Sequence, residues 1–351
     1  MSGKKISIFL LLFGFVLGLM AFQSSTDNLS RLFTDSIQFV VPANFPKPLY
    51  APKDNQLSSD GFLLGKALFY DAILSSDKTV SCGNCHQASA AFANVGIALS
   101  TGVKNCAGTR NAPALFNLAW QKDFMWDGRI DNMHDVPVNA LTNPCEMANT
   151  MDSVVSRLRA DKVYPVLFKK AFGAEEINAS QVLKALAQFT SMLVSADSKY
   201  DKHVRKEDGG DFTVQEESGY RLFKAKCSSC HTEPLFTDGS YRNNGLDEIS
   251  ADRGRDSTTN LIADRGKFHV PSLRNVEITK PYMHDGRFSS LREVLKHYNS
   301  GMKNHVNLDP VFRTGGNPGI ALTSEEQLQL IAFLKTLTDI DFINDQRFVN
   351  H

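Results

Sequence analysis

A mainly helical fold in two related halves is predicted by three features of the sequence. Almost no stretch alternates apolar and polar residues with period two, as a half-buried strand would. Helix starts are written out instead, because Thr213-x-x-Glu216 and Thr323-x-x-Glu326 are capping boxes followed by apolar residues at helical spacing. A short pattern also occurs twice in the same order. Cys82-x-x-Cys85-His86 is followed by Arg110-Asn-Ala-Pro-Ala-Leu115 and Trp126-Asp-Gly-Arg129, and Cys227-x-x-Cys230-His231 by Val270-Pro-Ser-Leu-Arg-Asn275 and His284-Asp-Gly-Arg287. A duplicated device of this kind makes each half a domain built around one copy.

In chain order, residues 1–22 pair two lysines, Lys4 and Lys5, with the uncharged run Ile6 to Phe22, and polar residues follow. This is the pattern of a secretory signal peptide; the run also reaches the lower limit for a membrane span, which keeps an N-terminal anchor open. Both readings predict export into an oxidising, periplasmic space. Residues 23–56 contain Pro42, Pro46, Pro48 and Pro52 with little periodicity, the composition of an extended lead-in. The N-terminal domain is expected over 57–205. Leu64, Leu68 and Phe69 mark a helix just ahead of the first cysteine pair. Val182, Leu183, Leu186, Phe189 and Leu193 mark a later one, with Ser180 as its expected cap. The polar, turn-rich Lys206 to Asp211 sets the boundary, so the C-terminal domain covers 206–351. Its first helix carries Tyr220, Leu222 and Phe223 into Cys227, and its last carries Leu328, Ile331, Phe333 and Leu334. Between them, Asp238 to Lys267 reads as a long loop rich in Gly, Asn, Asp and Arg.

Bulk composition excludes several classes of function. The 351 residues carry 38 Lys+Arg against 38 Asp+Glu, so no basic excess exists for a nucleic-acid partner. Hydrophobic residues make up 42%, enough for packed cores. Six cysteines are too few for a disulfide scaffold, and four of them lie in the two repeated motifs. Two cysteines separated by two residues can add their sulfurs across the vinyl groups of a haem while the adjacent histidine gives an imidazole to iron. Cys-x-x-Cys-His is this c-type attachment pattern. A four-cysteine zinc site normally sets its pairs about 15–20 residues apart, far closer than Cys85 and Cys227, and a thiol redox pair needs no following histidine. Two covalent haems are therefore expected, on Cys82, Cys85 and His86 and on Cys227, Cys230 and His231. The sixth coordination position decides between electron carriage and chemistry. No histidine lies between His86 and His134, which points to an open or weakly occupied position at the first haem.

These motifs, with Asn143-Pro144-x-Glu146-Met147 and Pro281-Tyr-Met-His-Asp-Gly-Arg287, resemble the bacterial di-haem cytochrome c peroxidases and their MauG-type relatives, from Leu64 to Leu337. The resemblance implies two cytochrome c-like helical domains with calcium at their interface. It implies that hydrogen peroxide meets the N-terminal haem, and that a small cytochrome or copper protein feeds electrons to the C-terminal one. Family members are often dimeric, which extends to a homodimer here. By position, Trp126 matches the tryptophan that relays electrons between the haems, against the plainer reading of a core aromatic. Glu146 matches the acid-base residue that moves a proton between the peroxide oxygens, although Asn143, Pro144 and Glu146 also fit a helix-start box. Tyr298 matches the second haem's distal ligand. Met302, one turn further on, is its rival, and a core tyrosine is the plain alternative. Tyrosine there is the MauG-type choice and methionine that of the electron-carrying peroxidases. Calcium would be held by Asn111 and the carbonyls of Thr279 and Pro281.

Departures from the family pattern are informative. The loop after the first haem, Ser100 to Thr109, lacks the histidine that must swing away on reduction in many members, so the need for reductive activation is in doubt. Val136 and Ala140 replace the glutamine and proline that precede the acid. Cys106 and Cys145, the two remaining cysteines, fall on that loop and beside Glu146, and they are expected to pair. A peroxidase, a MauG-like enzyme oxidising side chains of a partner protein, and a plain di-haem electron carrier all fit the motifs.

Overall fold

The structure is a computed structural model that describes residues 37–50, 54–173, 175–313 and 316–350. The expected signal or anchor segment, 1–22, lies outside the described residues, as does the lead-in up to residue 36. Among the described residues no helix is long and apolar enough to cross a membrane.

Helices dominate, as the lack of alternation requires. In the first half these are α1 (Ser59–Tyr70), α2 (Val136–Thr142), α3 (Met151–Ala160), α4 (Tyr164–Phe172), α5 (Ala179–Ser191) and α6 (Lys199–Arg205). The second half adds α7 (Val214–Lys226), α8 (Leu291–Lys296) and α9 (Ser324–Lys335). A two-residue antiparallel ladder, β1 (Tyr241–Arg242) with β2 (Phe268–His269), lies in and beside the segment expected to be loop, which also holds a helical turn at Asp256–Thr259.

Local chemistry explains the helix ends. Both expected capping boxes form: the hydroxyls of Thr213 and Thr323 accept from the backbone N–H groups of Glu216 and Glu326, and the backbone N–H groups of the two threonines donate to the glutamate carboxylates. The cap of α5 is Asn178 and not Ser180. Asn178 Oδ1 accepts from Gln181 N at 3.0 Å and Gln181 Oε1 from Asn178 N at 3.0 Å, a reciprocal pair that places Ser180 inside the first turn. In α9, Leu330 takes the buried place beside Phe333 and Leu334, and Leu328 faces solvent.

Each half is held by one helix crossing at a glycine. A Cβ on Gly65 of α1 would meet the Ala185 carbonyl of α5, and one on Gly219 of α7 would meet the Gln329 carbonyl of α9. The backbones touch in both halves in the same way, which is the repeat in three dimensions. The N-terminal core gathers Phe62, Leu68, Phe69, Phe92, Phe168 and Phe189, and the C-terminal core gathers Tyr200, Phe223, Phe236, Leu295 and Phe333. Phe342 and Phe348, at the end of the chain, return to pack in the N-terminal core, and Tyr70 Oη donates to Phe348 O at 2.8 Å. The described part of the lead-in, residues 37–50 and 54–56, has no helix and is tied to the first half where Trp120 Nε1 donates to Pro46 O at 2.7 Å.

Candidate functional site

Each Cys-x-x-Cys-His motif forms a tight turn whose two cysteines lie close enough to act on each other electrostatically. Cys82–Cys85 is a single helical turn closed by His86 N donating to Cys82 O at 2.9 Å, and His231 N donates to Cys227 O at 3.0 Å. The imidazoles are then fixed from behind. His86 Nδ1 lies 3.0 Å from Phe92 O, and His231 Nδ1 lies 3.1 Å from Phe236 O. A carbonyl can only accept, so Nδ1 carries the proton and Nε2 keeps its lone pair for a metal. Phe92 and Phe236 turn these carbonyls inward from the left-handed region, at φ 60° and 56°, a conformation unusual for a bulky residue and present at the same place in both halves. Burial pushes the His86 imidazole down to about 4 against the hydrogen bonds that favour its charge, and burial lowers His231 as well. Both shifts favour the neutral ring that iron ligation needs.

The four motif cysteines are unpaired thiols, and burial pushes Cys82 and Cys227 up to about 12. Among the described residues no group of three His, Cys, Asp or Glu side chains is placed to hold a metal ion. Two sulfurs on one turn beside a neutral, oriented imidazole fit a c-type haem.

Glu146 lies in the surroundings of the first motif, where its charge acts on both Cys82 and Cys85. It sits in a turn after α2, so Asn143 and Pro144 do not begin a helix there. Asn143 instead acts as a clamp: its Nδ2 donates to Glu146 Oε1 at 2.7 Å while its Oδ1 accepts from Cys145 N at 3.0 Å. Burial raises the Glu146 carboxyl above its ordinary value, and the Asn143 bond and the Arg129 charge only partly offset this. The facing loop is tied to the same turn. Cys106 and Cys145 form a disulfide, and Val103 N donates to Glu146 O at 2.8 Å.

Trp126 occupies a turn closed by a bridge between Phe124 and Ile130, repeated in the second half by Tyr282 and Phe288 around His284. Its Nε1 donates to Asn111 O at 2.8 Å and its own carbonyl accepts from His269 N at 2.8 Å. Asn111 N in turn donates to His284 O at 2.7 Å. Trp126 is therefore pinned at the seam between the halves. Asn111 gives its Nδ2 to the carbonyls of Ile97 and Ala98 at 3.2 and 3.0 Å, which leaves Oδ1 as the atom a calcium ion would take. Gly96 N donates to Lys280 O at 3.3 Å, so the same loop also touches the segment of Thr279 and Pro281.

In the second half, Tyr298 lies in a π-helical stretch, His297–Gly301, that continues α8, a distortion often found at functional positions. Burial pushes its phenol up to about 12, and its surroundings include Asn244, Cys230 and Cys227. Met302 follows the end of that stretch in extended conformation and packs with Leu308 and Phe312. Sequence reasoning missed Asn244, which meets Tyr298, and Met283, which meets Asn244. Asn244 Nδ2 lies 3.4 Å from Tyr298 Oη and 3.4 Å from Met283 Sδ, and Asn244 O accepts from His297 Nε2 at 2.9 Å. Met283 had a signal, since it occupies the place of Met125 in the repeated turn; Asn244 had none.

Known proteins resemble this chain over most of its length. The family model of the di-haem cytochrome c peroxidases matches residues 59–209, and that of cytochrome c matches residues 216–338. The methylamine utilization protein MauG of Methylorubrum extorquens is 36% identical, over 83% of this chain and 82% of its own. The chain belongs to the di-haem cytochrome c peroxidase and MauG family. Cytochrome c551 peroxidase of Nitrosomonas europaea is 33% identical, over 85% of this chain and 86% of its own. A MauG-like protein associated with microbial copper homeostasis has a solved structure that matches with TM-score 0.80 at 31% identity, over 89% of this chain and 99% of that one. A dihaem peroxidase from Burkholderia thailandensis, TM-score 0.70 at 23% identity over 84% and 91% of the two chains, shares the fold. Both halves of this family member are cytochrome c-like helical domains, and its cofactors are two c-type haems.

Proposed function

We propose that this family member is an exported enzyme that reduces hydrogen peroxide to two waters, with two electrons taken singly from a small reduced cytochrome or copper protein. The observation that carries this reading is Glu146, a buried carboxyl clamped beside the Cys82-x-x-Cys85-His86 turn. When bound, haem supplies iron that exchanges single electrons and, where an axial position is open, takes an oxidant. Cys82, Cys85 and His86 hold the reacting haem, and Cys227, Cys230 and His231 the electron-transferring one. Glu146 removes a proton from one peroxide oxygen and returns it to the other, so that water is the leaving group. Asn143 fixes Oε1 for that task, and the disulfide with the Val103 hydrogen bond keeps the facing loop, which has no histidine, from closing over it. Trp126 bridges the two halves as the electron relay, held by Asn111 and His269. Calcium at Asn111, Thr279 and Pro281 would stiffen the same seam.

Tyr298 favours a second reading. Its hydroxyl meets Asn244 and its phenol lies near Cys227 and Cys230, while Met302 belongs to the apolar cluster of Leu308 and Phe312 against which the Tyr298 ring packs. A phenolate ligand stabilises higher oxidation states of iron relative to a thioether, which suits a MauG-like enzyme that spends its oxidising power on side chains of a partner protein. The deciding experiment follows peroxide-dependent oxidation of a reduced cytochrome by holoenzyme that has not been pre-reduced. Steady turnover is expected. If peroxide oxidises both haems but the cytochrome is not consumed catalytically, the partner-protein reading replaces the first; if both haems are low-spin and unchanged by peroxide, neither survives.

A further inference from the structure

The aromatic clusters behind the two motif histidines differ in kind. In the N-terminal half, Phe92 packs among phenylalanines, with Phe342 at 5.8 Å, Phe69 at 6.0 Å and Phe189 at 6.3 Å between ring centroids. Tyr70 joins this cluster, but its hydroxyl donates to a backbone carbonyl, which cannot take a proton away. Tyr164 does donate to a carboxylate, Asp71, yet it adjoins Phe168 and not Phe92. In the C-terminal half the same position is built of phenols. Tyr200 meets Phe236 edge-on at 4.7 Å, and Tyr220 meets Tyr200 at 6.0 Å. Both hydroxyls donate to one oxygen, Glu233 Oε1, at 2.6 and 2.7 Å. Tyr200 is buried, whereas Tyr220 and Glu233 are half-buried and the Lys224 ammonium lies 4.0 Å over the Tyr220 ring. The rings thus run without a break from the residue that orients His231 to the protein surface.

The chemistry of phenols makes this arrangement more than packing. A phenol that loses an electron becomes strongly acidic, so it is oxidised readily only where its proton can leave at the same time. A carboxylate at hydrogen-bond distance takes that proton, and phenylalanine has no equivalent route. We propose that Tyr200 and Tyr220, with Glu233 as their shared proton acceptor, are a redox-active pair that carries single oxidising equivalents between the C-terminal haem site and the surface. This rests on the reading that peroxide oxidises the haems. One electron passes from a phenol to the peroxide-oxidised haem centre, the O–H bond breaks, its proton moves to the Glu233 carboxylate, and a neutral tyrosyl radical remains. A one-electron donor at the surface restores the phenol as the proton returns from Glu233. Because one carboxylate oxygen serves both hydroxyls, only one phenol is oxidised at a time. The Phe-lined N-terminal cluster insulates its haem, and the C-terminal cluster conducts.

Freeze-quenched holoenzyme mixed with one equivalent of hydrogen peroxide, followed by both optical and electron paramagnetic resonance spectroscopy, tests the proposal. A narrow radical signal that changes when the protein is made with ring-deuterated tyrosine is expected. That signal should be lost in the Tyr200→Phe/Tyr220→Phe variant and form more slowly in Glu233→Gln, with the haem spectra at rest unchanged. The half-exposed Tyr220→Phe alone should alter the signal and serves where the double variant does not fold. Optical oxidation of the haems with no tyrosyl signal, or with the same signal in the variants, overturns the pair and leaves peroxide chemistry standing. No optical change on adding peroxide overturns both.

Discussion

Two influences on Glu146 pull against each other: burial favours its neutral carboxyl, and the Asn143 hydrogen bond favours its carboxylate and fixes it in place. Burial raises its carboxyl above the ordinary 4.5, and the 2.7 Å bond from Asn143 both lowers it part of the way back and sets its direction. Replacing it with glutamine keeps the shape and the Asn143 contact but removes the titrating group. Glu146→Gln is expected to lose roughly 10²–10⁴-fold in peroxide turnover, the usual worth of a positioned general acid-base. The haem spectra should not change. The pH dependence follows from the sign of the shift. The carboxylate form must be present to accept the first proton, so wild-type kcat/KM for peroxide should rise with pH on a limb centred above 4.5, and that limb should be absent from Glu146→Gln. A variant that keeps both its rate and its acid limb would remove Glu146 from the chemistry.

At the scale of elements, the loop of Ser100 to Thr109 and the turn that carries Glu146 behave as one unit. They share the Cys106–Cys145 disulfide and the bond from Val103 N to Glu146 O, and Gly102 lies so close to the Cys145 and Glu146 carbonyls that a Cβ there would overlap both. The disulfide links positions 39 apart, and closing a loop of that length is worth about 4 kcal/mol through the unfolded chain. Cys106→Ser/Cys145→Ser holoenzyme should therefore unfold at lower urea concentration and also turn over peroxide more slowly, with a raised KM if the loop closes over the pocket. Lost stability with unchanged kinetics would reduce the disulfide to a staple. This unit also marks how far sequence carried. The caps at Thr213 and Thr323 were legible because a capping box lies within four residues, and the pairing of Cys106 with Cys145 because the other cysteines had a role. The cap of α5 was misplaced at Ser180 because several polar residues precede that helix, and only the Asn178–Gln181 reciprocity separates them. What stayed hidden depends on contacts across the chain: Asn244 meets Tyr298 from 54 positions away, and Tyr70 meets Phe348 from 278.

Across the whole molecule, the two halves communicate through a polar seam built on Arg110. Its guanidinium takes Asp252 of the second half in a two-pronged contact at 2.6 and 2.7 Å and Asp127 of the first half at 2.7 Å. Asp127, 1% exposed, also pairs with Arg129 and accepts from Ser257 Oγ, while Arg255 donates to the carbonyls of Asp127 and Gly128. Trp126 precedes Asp127 in the chain, so the seam that joins the halves also holds the residue proposed as the relay. Burial alone would raise both acids, but the hydrogen bonds and charge of Arg129 and Arg110 on Asp127, and of Arg110 on Asp252, outweigh it and hold them below the ordinary 3.8. A carboxyl whose folded pKa is depressed gives stability that is fully present above its unfolded value and is lost as pH falls through the folded one. The seam should therefore be intact at neutral pH and weaken below 3.8. Arg110→Met takes the shared cation from two acids; breaking a fully buried pair from one side costs about 3–5 kcal/mol, and the loss here should be smaller because Asp127 keeps Arg129 and Asp252 is partly exposed. Urea midpoints measured from pH 7 down to pH 3 should be lower for Arg110→Met at neutral pH and should fall less steeply in acid than those of the wild type. Electron transfer between the haems should slow with it, since Trp126 loses the neighbour that holds its turn. Parallel acid profiles for the two proteins would mean that the ionic bridge does not join the halves, and the apolar packing of Phe342 and Phe348 in the N-terminal core would be left as their main link.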